Sequence, residues 1–283
     1  MNADKLRACW STAFISGANS GLGLYLAESF VRSGISLALF DLKFDEVVVQ
    51  RLKKMAEQHQ VKVGFWQTDL CDEHVIAEAA KAAAASIGSP DLAINCAGIQ
   101  LAKTFDELSN SEFEKVIAVN LFGSRNFANA VLPVMQPGAQ LAFLSSLAGL
   151  VPNYSYAAYN ASKFAVLGMA GAIRLEELPR NIAVSVICPA EINTPMVEKE
   201  LKTMHPVTRR LKSFAGTLEV DQACDEMIRS LMKKRQLIIP GFRPKFTYFL
   251  SRYFPGLMQR ISESMVTDTL SKNMKSSSNA SAV

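Results

Sequence analysis

Apolar and polar positions along the chain follow two alternating periods. Short apolar runs occur at 12–16 (TAFIS), 36–40 (SLALF), 61–66 (VKVGFW), 92–95 (LAIN), 140–145 (QLAFLS), 183–188 (AVSVIC) and 236–240 (QLIIP). Runs of this length with no polar alternation read as strands buried on both faces. Between them lie amphipathic stretches of helical period, near 22–33, 45–59, 72–87, 110–135, 155–178 and 219–234. The fourth opens on SNSE, which places Ser109 as an N-cap with Glu112 returning to it in a capping box. Strand–helix alternation repeated this often predicts an α/β fold: a doubly wound parallel sheet of about seven strands, helices on both faces, joined by right-handed crossovers.

The pattern changes after residue 240, so residues 1–240 are expected to form one domain. Residues 241–272 follow as a helical extension, in which Phe246, Phe249, Leu250 and Tyr253 share one helical face and Pro255 interrupts the helix. A second apolar set comes at Leu257, Met258, Ile261 and Met265, and the small polar residues 273–283 predict a disordered tail.

Composition narrows the picture in a few places. Hydrophobic residues make up 49% of 283, enough for a substantial core. No apolar run reaches a membrane-spanning length, and the first ten residues lack a secretory pattern. Five cysteines in an odd, unpaired arrangement fit a reduced, cytoplasmic protein better than a disulfide framework. The histidines, His59, His74 and His205, lie far apart, and no metal site is expected of them. The net charge of +4 conceals a basic stretch, 199–260, with 13 Lys/Arg against 5 Asp/Glu. That stretch is either a solvated face or a surface for an anionic partner or membrane; no nucleic-acid motif accompanies it.

Chemistry enters at two places. After the first strand, Gly17, Gly21 and Gly23 are spaced G-x-x-x-G-x-G and run into the first helix. Such a turn lets backbone approach a pyrophosphate, while the helix N-terminus offers free N–H groups to it. Asp41, at the end of the second strand, either accepts the adenosine ribose hydroxyls or caps the following turn. In the first role it favours NAD over NADP, with Lys43 close by as a complication. The second place is SSLAGLVPNYSYAAYNASK, residues 145–163, with tyrosines at 154, 156 and 159. Of the three, Tyr159 alone has a lysine, Lys163, four residues on and therefore on the same helical face. At roughly 5 Å and an effective dielectric near 20, the attraction between a phenolate and an ammonium is about 3 kcal/mol, enough to ease proton transfer near neutrality.

These elements together resemble the short-chain dehydrogenase/reductase family. SGANSGLG (16–23) is similar to its glycine-rich cofactor motif, and NCAG (95–98) to its N-N-A-G motif, with Cys96 at the second Asn. VNLFG (119–123), LSSLAG (144–149), YNASK (159–163) and CPAEINT (188–194) follow in the family's order, the last with Ala190 at a Gly position. The resemblance implies a Rossmann-type fold and an NAD(P)-dependent oxidoreductase acting on a secondary alcohol or ketone. It implies Tyr159 as proton donor and acceptor, Ser146 orienting the substrate oxygen, Lys163 holding the ribose, and Asn120 fixing a relay water. For the cofactor it implies Gly17, Asn19, Ser20, Gly21, Leu22, Gly23, Asp41, Asp69, Leu70, Asn95, Ala97, Gly98, Pro189, Ile192 and Thr194, beside Tyr159 and Lys163. Tyr154 and Tyr156 either line the substrate mouth or simply pack.

The resemblance implies that the segment after Thr194 covers the substrate pocket. Its Met, Leu and Phe content suits a lipophilic substrate, and with the aromatic tail it loosely resembles reductases of long-chain or sphingoid ketones. The expected partners are such a substrate and further copies of the chain, as dimer or tetramer through the helices at 110–135 and 155–178. The tail is expected either to touch a membrane peripherally or to pack on the protein's own body or a neighbouring subunit. A different class of function, a cofactor-binding sensor or scaffold without turnover, need not keep Ser146, Tyr159, Lys163 and Asn120.

Overall fold

A computed structural model of the chain describes residues 3–193 and 204–280, with side chains through Lys272. Seven parallel strands form the central sheet: β1 (Thr12–Ser16), β2 (Ser36–Asp41), β3 (Val63–Gln67), β4 (Leu92–Asn95), β5 (Gln140–Leu144), β6 (Ala183–Ile187) and β9 (Leu237–Ile238). Their spatial order is β3-β2-β1-β4-β5-β6-β9. All seven predicted strands are present, in the doubly wound Rossmann-type arrangement expected. Two three-residue strands, β7 (Glu191–Asn193) and β8 (Thr217–Glu219), form a separate parallel pair and had no counterpart in the sequence pattern.

Because neighbouring residues on a strand point to opposite faces, each strand feeds two cores. Ala13, Ile15, Leu37, Leu39, Leu92 and Ile94 face one layer. There they meet Leu26 and Phe30 of α2 (Gly21–Arg32), Leu52 of α3 (Glu46–His59), and Met227 and Leu231 of α9 (Val220–Met232). Phe14, Ala38, Phe40, Leu141 and Phe143 face the other layer. Their partners are Ile76 and Ala80 of α4 (Glu73–Ile87), Phe127 and Val131 of α6 (Gly123–Val131), and Val166 and Ala170 of α7 (Ala157–Glu176). A short helix α1 (Ala3–Arg7) seats Leu6 in the first layer.

The helix expected at 110–135 is divided. It runs as α5 (Asn110–Ile117), a π-helical turn (Ala118–Phe122), α6 and a 3₁₀ turn (Leu132–Val134). The predicted capping box is present at its start: Ser109 Oγ accepts from the Glu112 backbone N–H, and Glu112 accepts from the Ser109 N–H. A π turn widens the helix by one residue, is rare, and is found mostly at functional sites. Here it carries Asn120.

Past the sheet, α8 (Pro206–Ala215) packs against α10 (Phe242–Tyr253) and α11 (Pro255–Ala280). The break between the last two falls at Phe254, just before Pro255. The backbone of α11 continues helical to Ala280, past Lys272, where the sequence reading placed the end of the extension. Arg210 of α8 bonds Thr269 Oγ1 at 3.1 Å and Asp268 at 3.3 Å on α11. The extension is therefore laid onto the covering segment of the domain.

Candidate active site

The strand order reverses between β1 and β4, whose carboxyl ends splay their loops apart; a crevice at this point is where open α/β sheets take ligands. A single cavity of about 630 Å³ opens there. One end is lined by Gly17, Ser20, Gly21, Asp41 and Asp69; the other by Leu211, Phe214, Met258 and Met265.

The first end has the features of a dinucleotide cradle. Gly17 has φ +66°, and a Cβ there would sit 2.7 Å from the Ala97 nitrogen, so only glycine lets these two loops close. Gly21, φ +56°, would meet nothing within 4 Å, leaving room beside the start of α2. Asp41 Oδ2 accepts the Asn19 N–H at 2.9 Å, so its side chain ties back to the glycine turn before it rather than capping the turn that follows, and the residue also lines the cavity. Leu42 lines the cavity; Lys43 is exposed and outside the lining. These residues fit an adenine dinucleotide: glycine backbone and a helix N-terminus for the pyrophosphate, a carboxylate for ribose hydroxyls.

The reacting end is built by α7 and the end of β5. Tyr159, Lys163, Ser146, Pro189 and Ile192 all line the same cavity. Lys163 Nζ stands 5.6 Å from the Tyr159 ring centroid, the separation a shared helical face gives. That nitrogen also donates to the Leu144 carbonyl at 2.9 Å, and the side chain is almost wholly buried. Burial holds its pKa down at about 8. It also pushes the neighbouring thiols of Cys96 and Cys188 up to about 12, so both stay neutral. Ser146 caps a 3₁₀ turn, its Oγ accepting the Ala148 N–H at 3.1 Å, while Ser145 donates to the Lys163 carbonyl at 3.0 Å. Both serines line the cavity, and Ser145 also anchors α7 to β5.

Asn120 is fully buried and does not line the cavity. Its Oδ1 accepts the Ile99 N–H at 2.8 Å, and its Nδ2 donates to the Ile99 carbonyl (2.9 Å) and Ser162 Oγ (3.0 Å). It fastens the loop after β4 to α7. Asn19 and Asn95 also turn away from the cavity. Asn19 exchanges hydrogen bonds with Asp45 (2.8 and 3.2 Å); Asn95 accepts from Ser16 and donates to Ser124 Oγ at 2.7 Å. These two shape the cradle, while Ser20, Leu22, Gly23, Leu70, Ala97 and Gly98 face it. Thr194 lies outside the described residues.

The structure also answers for the other tyrosines. Tyr156 is 2% exposed and meets the Tyr159 ring edge-on at 5.6 Å, with its hydroxyl bonded by Gln100 Nε2 at 2.6 Å. Tyr154 stacks on His205, with centroids 4.8 Å apart, and is not among the lining residues. Gln100, Lys212 and Glu191 line the substrate half and were not singled out from sequence. Glu191 directly follows Ala190 in a motif already in view, which was the available signal; Gln100 and Lys212 carry no local one.

The sequence of residues 11–205 matches the family model of the short chain dehydrogenases. The chain belongs to that family of oxidoreductases. It is 28% identical over 228 residues to the 3-ketodihydrosphingosine reductase of Mus musculus, covering 77% of this chain and 68% of the relative. It is 27% identical over 192 residues to the D-beta-hydroxybutyrate dehydrogenase of Rhizobium meliloti, covering 67% and 74%. Among solved structures, a short chain dehydrogenase/reductase from Burkholderia phymatum in complex with NAD superposes with a TM-score of 0.75 at 24% identity, over 87% of this chain and 94% of that one.

Proposed function

We propose that this chain reduces a lipophilic long-chain ketone of the sphingoid type with NADH. The observation that carries the reading is the cavity itself: among the described residues, a nucleotide cradle and the Ser146–Tyr159–Lys163 group continue without a wall into a largely apolar chamber under α8 and α11. A small hydroxy acid would leave that chamber empty, whereas an alkyl chain beside Leu211, Phe214, Met258 and Met265 is removed from water at about 0.8 kcal/mol per CH₂. The similarity to the mouse reductase points the same way.

When bound, the cofactor supplies the hydride. The residues around it do the rest: Ser146 donates to the carbonyl oxygen and fixes its orientation, and Tyr159 delivers the proton to that oxygen. Lys163 steadies the proton on its way and holds the ribose hydroxyls, and Asn120 keeps the loop after β4 at the right distance from α7. Asp41 at the ribose end, with Lys43 outside the lining, supports NAD over NADP. A sensor without turnover would need none of the reacting group. The test is loss of NADH absorbance with a ladder of ketones of rising chain length. Rates that climb with chain length support the reading; rates that peak at four-carbon keto acids would replace it with hydroxy-acid chemistry.

The same reading places the protein against a membrane surface, as a peripheral contact, and as a homodimer or tetramer. No helix among the described residues is long and apolar enough to cross a membrane. The outer face of α10 supports the first, and exposed rings on the π turn and α7 support the second.

A further inference from the structure

We propose that Glu191 and Lys212 select the polar head of the substrate: Glu191 receives an amino group, and Lys212 bonds a hydroxyl oxygen, on carbons beside the reacting carbonyl. This rests on the sphingoid ketone reading and assigns to named residues the polar head group that such a ketone carries. Glu191 enters the cavity from β7, two residues past Pro189; Lys212 enters from α8. Their side chains are 8% and 14% exposed, and Lys212 Nζ lies 2.9 Å from Glu191 Oε2. The lysine nitrogen also stands 5.5 Å from the ring centre of Tyr156, whose ring in turn packs on Tyr159. The pair is therefore in the wall of the substrate half, one aromatic ring away from the proton donor.

A buried ion pair is a weak source of stability, because desolvating both charges offsets most of their attraction. Apolar residues would line a pure alkyl pocket at less cost. What this pair offers instead is a strong acceptor and a strong donor held a short distance apart. The carboxylate is held on one side by Thr217, which donates to Oε1 at 3.0 Å. Oε2 has its ionic contact with Lys212 but makes no directed hydrogen bond among the described residues. A carboxylate oxygen has two lone-pair sites, so Oε2 can take a second donor beside the lysine. An amino group on the carbon next to the carbonyl supplies it, and a neighbouring hydroxyl oxygen gives Lys212 an acceptor in exchange. A long-chain 2-amino-1-hydroxy ketone has both; a plain ketone has neither.

The two residues make opposite predictions, which the experiment uses. Binding of a long-chain 2-amino alcohol whose only hydroxyl sits on the reacting carbon, and of the secondary alcohol of equal chain length, is measured by calorimetry on full-length protein saturated with NAD. The ratio of the two dissociation constants is the readout, and NAD affinity reports that each variant is folded. Glu191→Gln should cut the preference for the amine by roughly tenfold or more, the worth of one hydrogen bond to a charged group. Lys212→Met, which removes the cation beside the carboxylate, should raise it. Equal shifts for both ligands in both variants would overturn the proposal. Amine preference without turnover of any long-chain ketone would leave this assignment standing and remove the reaction; turnover without preference would do the reverse. Should Glu191→Gln not fold, the Lys212→Met arm decides alone, a fall in preference counting against the proposal.

Discussion

Tyr159 and Lys163 could be read from sequence because a helix fixes the geometry of residues four apart, whatever surrounds them. Asn19 and Asn95 show where that ends. Their partners are Asp45 and Ser124, 26 and 29 residues away, and only the fold reveals that both amides are spent on scaffold bonds. From the chemistry of the reacting group, Tyr159→Phe should lower turnover by about 10²–10⁴-fold, the usual contribution of a positioned proton donor. Cofactor affinity, followed by protein fluorescence, should hardly change. Wild-type rates in that variant would remove Tyr159 from the mechanism. Lys163 gives a second prediction, in pH. Burial disfavours its ammonium, so the free protein loses that proton as pH rises through about 8. The high-pH limb of kcat/KM should fall near there. Between about 8 and the ordinary lysine value the unfolded chain binds the extra proton, so this residue makes stability rise with pH across that window. Lys163→Met should flatten that slope in denaturant titrations repeated at several pH values, and an unchanged slope would contradict the burial argument. A third concerns Asp41: Asp41→Asn should shift preference toward NADP, since a carboxylate near the ribose repels a 2′-phosphate. Titration of both cofactors checks it.

At the scale of elements, all seven sheet strands were legible because parallel strands covered on both faces are apolar throughout and stand out from helical period. The π turn was not. It differs from α-helix by one residue of slack and leaves the apolar pattern on either side intact, yet it is what carries Asn120 to Ile99. The pair β7 and β8 was equally invisible, three residues each with no periodicity to read. The extension gave a mixed outcome. Its aromatic stripe was recognised, and the inner sides of α10 and α11 line the cavity through Thr247, Met258 and Met265. The stripe itself faces outward: Phe246 and Phe249 are about half exposed, and Tyr253 is 66% exposed. Phe242, stacked on Phe246, and Phe254, against Phe249, extend it as an exposed apolar face of the kind that marks an interaction surface. Lys245 is tied to Glu226, and Arg243 to the carbonyls of Ser213 and Phe214, which leaves Arg252 and Arg260 exposed for anionic head groups, each worth about 1 kcal/mol near such a surface. Replacing Phe246, Phe249 and Tyr253 together with Ser should release the protein from anionic liposomes at low salt without lowering its melting temperature by more than a few degrees. Equal co-sedimentation of the two forms would mean that the face serves something else.

At the scale of the whole molecule, two further exposed rings fall where the helices at 110–135 and 155–178 were expected to meet a second copy. Phe122 closes the π turn and is 57% exposed; Phe164 follows Lys163 on α7 and is 43% exposed. Both belong to elements that hold the reacting group, and α5 and α7 pack on one another, so a partner seated there would brace the site from outside. An isologous two-fold contact is the simplest closed solution for one patch on identical chains. Burying a Phe side chain in such a contact is worth about 1.5–3 kcal/mol, and a charge placed at its centre is left desolvated and unpaired. Phe164→Glu should therefore convert a dimer into monomers in sedimentation velocity at micromolar concentration, while NAD affinity persists, because the cradle lies on β1, β2 and β4 rather than on this face. Turnover should drop with the loss of the brace, and raising the protein concentration should restore part of it in the wild type but not in the variant. A wild-type chain that sediments as a monomer, with these rings exposed in solution, would remove the interface and leave α7 supported by the sheet alone.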